Sequence, residues 1–227
     1  MGQINSVIKN FGKTGDLSSA ILKERRYLNA TAICKPQVFM GARFMERETQ
    51  FRLLDSFLFQ PKNAKQKRSL IVAVAASGMG KSAFVDEYCR RSTDNCITIT
   101  YNTEQFGSHF SECITVAVDL AARLLMPYFL SIPSPLILGK ICKSLMGENL
   151  GQNWDKAVFE CVTEDLRMQS GGTKSKILIA CDEGGKSVNE KKVVQLLCGL
   201  IDGDDELECF FTGLTLNPVL ASRMPRK

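Results

Sequence analysis

The sequence predicts an α/β fold, a mostly parallel β-sheet flanked by helices in three α/β/α layers. Three observations carry this. Four short apolar runs rich in β-branched or aromatic residues stand at 70–75, 96–101, 176–181 and 207–212. Segments with helical periodicity separate them. The alternation of the two kinds is the pattern that builds a parallel sheet with helices on both faces.

Taken in chain order, residues 1–37 read as a polar N-terminal appendage, with a helix near Leu17–Leu28, and residues 38–227 as the α/β domain. A helix is predicted from about Glu46 to Phe59, where Phe51, Leu54 and Leu58 recur at helical spacing. The stretch 60–68 (QPKNAKQKR) is a basic, solvated linker. The first strand, Leu70–Ala75, is a buried one by its continuous apolar character. A helix follows from Lys81 to about Arg91, then the alternating strand Cys96–Tyr101. The region 109–169 reads as helical, with one stripe at Ala117, Leu120, Ala121, Leu124 and Leu125 and another at Trp154, Val158, Val162 and Leu166. Asp119, Arg123 and Pro127 interrupt its apolar run, so no membrane-spanning segment is predicted. A third strand (KILIAC) ends at Asp182-Glu183, a helix covers 189–201, and the fourth strand (LECFFT) closes the series.

Composition narrows the function classes. The net charge of +5 among 227 residues is too small for a composition built to bind nucleic acid. Nine scattered cysteines without a CxxC pair, and the single histidine His109, exclude a finger built on two cysteines and two histidines. Cysteines placed inside apolar runs pack as small hydrophobes and point to a reducing, cytoplasmic compartment. No secretory leader is visible in the first twenty residues.

The chemistry-bearing motif is Ala75-Ala-Ser-Gly-Met-Gly-Lys-Ser82, which has the spacing of a phosphate-binding loop with alanine at its first position. Binding a polyphosphate needs backbone N–H groups that converge without side chains in the way. Gly78 and Gly80 permit that approach, and Ala75, Ser77, Met79 and Ala83 supply backbone beside them at the start of a helix. Lys81 is placed to reach the β- and γ-phosphates, and the Ser82 hydroxyl to ligate magnesium. The second motif is the strand ending in Asp182-Glu183. Carboxylates at the carboxyl edge of a parallel sheet lie where ligands bind in open α/β folds. Asp182 is assigned to the metal shell, and Glu183 to polarising an attacking water as general base.

In order, a Gly41-Ala-Arg-Phe-Met-Glu-Arg47 box, a helix, the loop strand, the Asp-Glu strand and a strand ending in Phe210-Phe-Thr-Gly-Leu-Thr215 resemble the AAA+/STAND branch of P-loop NTPases. The resemblance covers about 38–220 and is also similar, more loosely, to the ATPase part of crinkler and retrotransposon-hot-spot proteins. It implies ATP and Mg²⁺ as ligands, a box at Phe39–Arg47 that helps enclose the adenine, and a γ-phosphate-sensing polar residue after the fourth strand. Thr212 is the candidate for that role, with Thr215 and Asn217 behind it. It further implies self-assembly or a protein partner. The chain departs from the pattern in Ala75, in a long helical insertion between the second and third strands, and in the absence of room after the fourth strand for a fifth strand and helical lid. Arg223 and Arg226 read as tail residues.

Two peripheral expectations complete the reading. Met1-Gly-Gln-Ile-Asn-Ser6 fits an N-myristoylation pattern at Gly2, with Lys9 and Lys13 following, but so short a pattern fits an ordinary unstructured terminus better. The functional alternatives are ATP hydrolysis coupled to conformational change or assembly, a nucleotide-binding interaction module with little turnover, and a DNA-associated ATPase.

Overall fold

The structure, a computed structural model, describes residues 47–58, 70–76, 79–92, 95–101, 115–129, 135–147, 154–169, 176–184, 190–202 and 204–213. Helix α1 spans Glu48–Phe57. Strand β1 is Ile71–Val74, helix α2 Lys81–Arg91 and strand β2 Asn95–Thr100. Helices α3 (Val116–Phe129), α4 (Pro135–Gly147) and α5 (Trp154–Gln169) fill the connection to β3, Ile177–Asp182. Helix α6 (Glu190–Ile201) leads to β4, Leu207–Gly213. The helix predicted near Leu17–Leu28, the Gly41–Glu46 part of the box, the linker at 60–68, Gly2, Ser77, Gly78, Thr215, Asn217 and the two tail arginines lie outside the described residues.

All four strands run parallel in the order β1-β4-β3-β2. Side chains alternate across the sheet as the period of two requires. Ile97, Ile99, Ile177, Ile179, Cys181, Cys209 and Phe211 point to one face, where they pack with α3, α4, α5 and α6. Cys96, Leu178, Ala180 and Phe210 point to the other, against α1 and α2. The chain crosses the sheet in one direction from β1 to β2 and returns through β3 to β4. Right-handed crossovers therefore send α2 to one face and the later helices to the other, which is where they lie. Helices thus flank the sheet on both faces, and three of them fill the connection between β2 and β3.

Local sequence explains each face. Helix α1 buries Phe51, Leu54 and, just past its end, Leu58, all on one stripe. Phe51 stacks on Phe84 of α2 at 4.8 Å, the Tyr88 hydroxyl donates to Asp55 at 2.6 Å, and Arg91 lies over the Phe51 ring while pairing with Glu48. Burying a phenylalanine at such a contact contributes about 1.5–3 kcal/mol, whereas the exposed Arg91–Glu48 pair adds at most about 1 kcal/mol. Packing rather than charge docks α1. Arg90 and Arg91 in the last turn of α2 complement the negative end of its dipole.

One expectation is corrected in detail, and one feature gains a partner. The first strand is only partly buried, with Val74 47% exposed, because β1 lies at an edge of the described sheet. Asp119 and Arg123 interrupt the apolar run of α3, as read from the sequence. They pair with each other inside it, Arg123 being 7% exposed.

Gly184, in the turn after β3, meets the sheet at close range: a Cβ there would overlap the Phe211 ring and lie 3.0 Å from Cys181 Sγ. Gly184→Ala is expected to lower stability by about 1–3 kcal/mol through overpacking, read as a lower urea midpoint, and an unchanged midpoint would contradict this packing.

Candidate functional site

The two sequence motifs meet at the carboxyl edge of the sheet. Because β4 lies between β1 and β3, the loop leaving β1 and the acids ending β3 flank the end of β4, where Thr212 stands. The chain leaves β1 toward the α2 face and β3 toward the α6 face, which opens a crevice above β4.

Gly80 turns the loop into α2 with φ +74° and ψ +27°, the left-handed region that favours glycine. Nothing lies within 4 Å of a Cβ built there, so the backbone angle, not crowding, requires the glycine. Lys81 follows as the first helical residue. Its Nζ donates to the carbonyls of Ala75 and Ala76 at 2.8 and 2.9 Å, spanning the mouth of the loop. Arg47, just before α1, donates to the Met79 carbonyl at 2.9 Å from the other side. Ala83 lies in the first turn of α2 and contributes backbone only.

Asp182 is the centre of the arrangement. It has no exposure to solvent, and three hydroxyls from three different elements surround its carboxylate. Ser82 donates to Oδ2 at 2.8 Å, Thr100 to Oδ2 at 3.3 Å, and Thr212 to Oδ1 at 2.9 Å. Thr212 in turn accepts the Glu183 backbone N–H at 3.0 Å. Burial raises the Asp182 pKa above the usual carboxylate range, and the Ser82 and Thr212 hydroxyls oppose that rise by bonding the charged form. Glu183 adopts φ +50° at the strand end and is buried beside Thr212.

A cleft of about 290 Å³ opens next to the loop, between α1 and the β1 edge. Leu53, Phe57, Val74 and Met79, all exposed, line it, and Phe210 and Phe84 lie behind them. Its polar lining comes chiefly from Lys81, Thr212, Arg47 and Gln50. The cleft is therefore apolar over most of its wall, with its cations on the loop side.

The structure brings together Ala75, Met79, Gly80, Lys81 and Ser82 with Asp182, Glu183 and Thr212, while Ser77 and Gly78 are outside the described residues. Thr100 was not singled out by sequence. Its signal is weak, a hydroxyl at the last position of an otherwise apolar strand in register with Asp182. Asp86, one helical turn after Ser82, was also missed. Burial, the adjacent Glu87 and, to a lesser degree, Asp182 push its carboxyl up to about 6, and its Oδ1 has no hydrogen-bond partner among the described residues.

The donors around Asp182 are all oxygens, one carboxylate with a serine hydroxyl at its side. That set fits magnesium, which is held by one or two carboxylates and completed by water and phosphate oxygens. Among the described residues no three His, Cys, Asp or Glu side chains cluster, and no helix is long and apolar enough to cross a membrane. The described cysteines are free, and burial raises the thiols of Cys142, Cys181 and Cys209, so they are packing groups in the core. No family model, curated protein or solved structure matches this chain.

The Asp86 shift has a definite sign. Its folded pKa of about 6 stands above its ordinary 3.8, so the folded state holds the proton more tightly and stability falls as pH rises between those values. Measured against Asp86→Asn by chemical denaturation, the parent protein is expected to lose relative stability from about pH 4 to about pH 6 and then level off. A constant difference across that window would contradict the assignment.

Proposed function

We propose that this chain binds ATP with Mg²⁺ at the loop Ala75–Ala83 and hydrolyses it, as an AAA+/STAND-type P-loop NTPase. One observation carries the reading: the Ser82 hydroxyl bonds Asp182 Oδ2 at 2.8 Å across 100 positions of sequence. The contact joins the hydroxyl at the start of the helix after the loop to the carboxylate at the end of β3, at the sheet edge where ligands bind in open α/β folds. Together they are the pair that a magnesium–nucleotide complex requires.

The remaining residues then take roles by position. Lys81 exchanges its loop carbonyls for β- and γ-phosphate oxygens, which are stronger acceptors because they are charged. The first amides of α2 add the positive end of its dipole. Ser82, its hydroxyl donating to Asp182, would hold the metal through its oxygen lone pairs. Magnesium supplies charge neutralisation on the phosphate oxygens. The apolar cleft between α1 and β1 takes the base, with Leu53, Phe57 and Met79 on its faces. Glu183 accepts the proton of the attacking water. Thr212 joins the Glu183 amide to the Asp182 carboxylate, so the position of the base depends on the state of the metal shell.

Assembly with partners or further copies follows from the resemblance. DNA association would rest on the resemblance alone, and membrane attachment at Gly2 on residues outside the described set.

Titration calorimetry with ATP is expected to show magnesium-assisted binding that Lys81→Ala weakens by about 10- to 100-fold, the cost of a lost charged hydrogen bond. No binding by folded wild-type protein would overturn the reading. Glu183→Gln is expected to retain ATP while phosphate release falls by about 10²- to 10⁴-fold. Equal release by both proteins would instead support a nucleotide-binding module without turnover.

A further inference from the structure

The two residues that hold Asp182 from the β2 side are themselves gripped from the helical layer. Tyr101 donates its backbone N–H to the Asp182 carbonyl at 2.9 Å, and Thr100 donates its hydroxyl to the carboxylate. Backbone groups of successive strand residues point to opposite sides. Tyr101 N–H faces β3, so the Thr100 carbonyl faces outward, where β2 forms the other edge of the described sheet. Arg123 of α3 donates to that carbonyl through Nη1. The same guanidinium lies 4.1 Å from the centre of the Tyr101 ring. Its Nε donates to both oxygens of Asp119, one turn earlier on the helix, at 3.1 and 3.0 Å. One cation thus fixes the Thr100 carbonyl and the Tyr101 ring, and these two residues fix both ends of Asp182.

We propose that Arg123, oriented by Asp119, is a positioning residue for the magnesium site, acting through Thr100 and Tyr101 on Asp182. This rests on the nucleotide reading above. Capping an edge carbonyl does not call for a buried ion pair, since desolvating two charges opposes their attraction and apolar packing serves stability as well. What the guanidinium adds is geometry. Its fork is planar and rigid, with one side on Asp119 and the other on the strand end, and the aromatic face sets its tilt. The pair comes from the long insertion between β2 and β3, so this insertion reaches the site through the sheet. Partners that orient a metal ligand from behind commonly change metal affinity by about 10- to 100-fold when removed.

The test is the magnesium dependence of ATP binding by full-length protein, with folding checked by circular dichroism and a melting curve. Arg123→Lys keeps the charge opposite Asp119 but loses the fork. The magnesium concentration for half-maximal ATP binding is expected to rise about 10-fold, with ATP affinity in chelator unchanged. Thr100→Val is expected to give a similar rise, and the double variant less than the product of the two fold-changes, because Arg123 acts in part through Thr100. A merely structural role would lower the melting temperature without separating magnesium dependence from metal-free affinity. An unchanged magnesium requirement in folded Arg123→Lys, or fully additive effects, would overturn the proposal while leaving the nucleotide reading intact. If Arg123→Lys does not fold, Asp119→Ala, which removes both acceptor oxygens of the fork but keeps the guanidinium, is read in the same way. Failure of both to fold would make the pair a folding element and overturn the positioning role. Absence of magnesium-assisted ATP binding in the wild type would remove the nucleotide reading and this inference together.

Discussion

Asp182 places a carboxylate where no water reaches it, at the end of a strand covered on both faces. A charge so placed costs several kcal/mol unless donors replace its hydration. The donors come from Ser82 on α2, Thr100 on β2 and Thr212 on β4, so three elements distant in sequence must converge to satisfy one side chain. The parallel register that sets Thr100 beside Asp182, the strand order that puts β4 between β1 and β3, and the left-handed turn at Gly80 that starts α2 all serve this convergence.

The arrangement is not the most stable one available to the fold. Burial raises the Asp182 carboxyl despite its hydroxyl donors, and Asp86 sits partly buried nearby with its own pKa pushed up to about 6. Both shifts mean that folding opposes ionisation at these positions near neutral pH. Acidic groups held against their solvation, beside a lysine at the mouth of a glycine-containing turn, are the features on which the proposed cation and polyanion site rests. The surrounding core supplies the stability that such a site withdraws, with Ile97, Ile99, Leu120, Leu124 and Leu125 fully buried on one face of the sheet and α1 and α2 locked by Phe51, Phe84 and Tyr88 on the other.

The fold was legible because each element carried its own period. The run KILIAC reads as a strand by its apolar, β-branched character, and the β3 found there is shifted by one residue, leaving out Lys176 and taking in Asp182. The loop was legible because glycine and lysine spacing is a local property, and Lys81 and Arg91 bound α2 as expected. What escaped is what depends on register. Thr100 matters only because it pairs with Asp182 across two strands, and Arg123 looked like a break in an apolar stripe until Asp119, Tyr101 and the Thr100 carbonyl enclosed it. The partial exposure of β1 escaped for the same reason, since edge position follows from strand order and not from the strand's own residues.

The central claim is that the Ser82–Asp182 contact is half of a metal–nucleotide site. Crystals grown with a slowly hydrolysed ATP analogue and Mn²⁺ in place of Mg²⁺ address it directly, because manganese is located by its anomalous signal. The account predicts a single strong peak about 2.1 Å from Ser82 Oγ, with Asp182 next to it and the β- and γ-phosphates opposite. A nucleotide bound elsewhere, or a manganese peak away from Ser82, would contradict it.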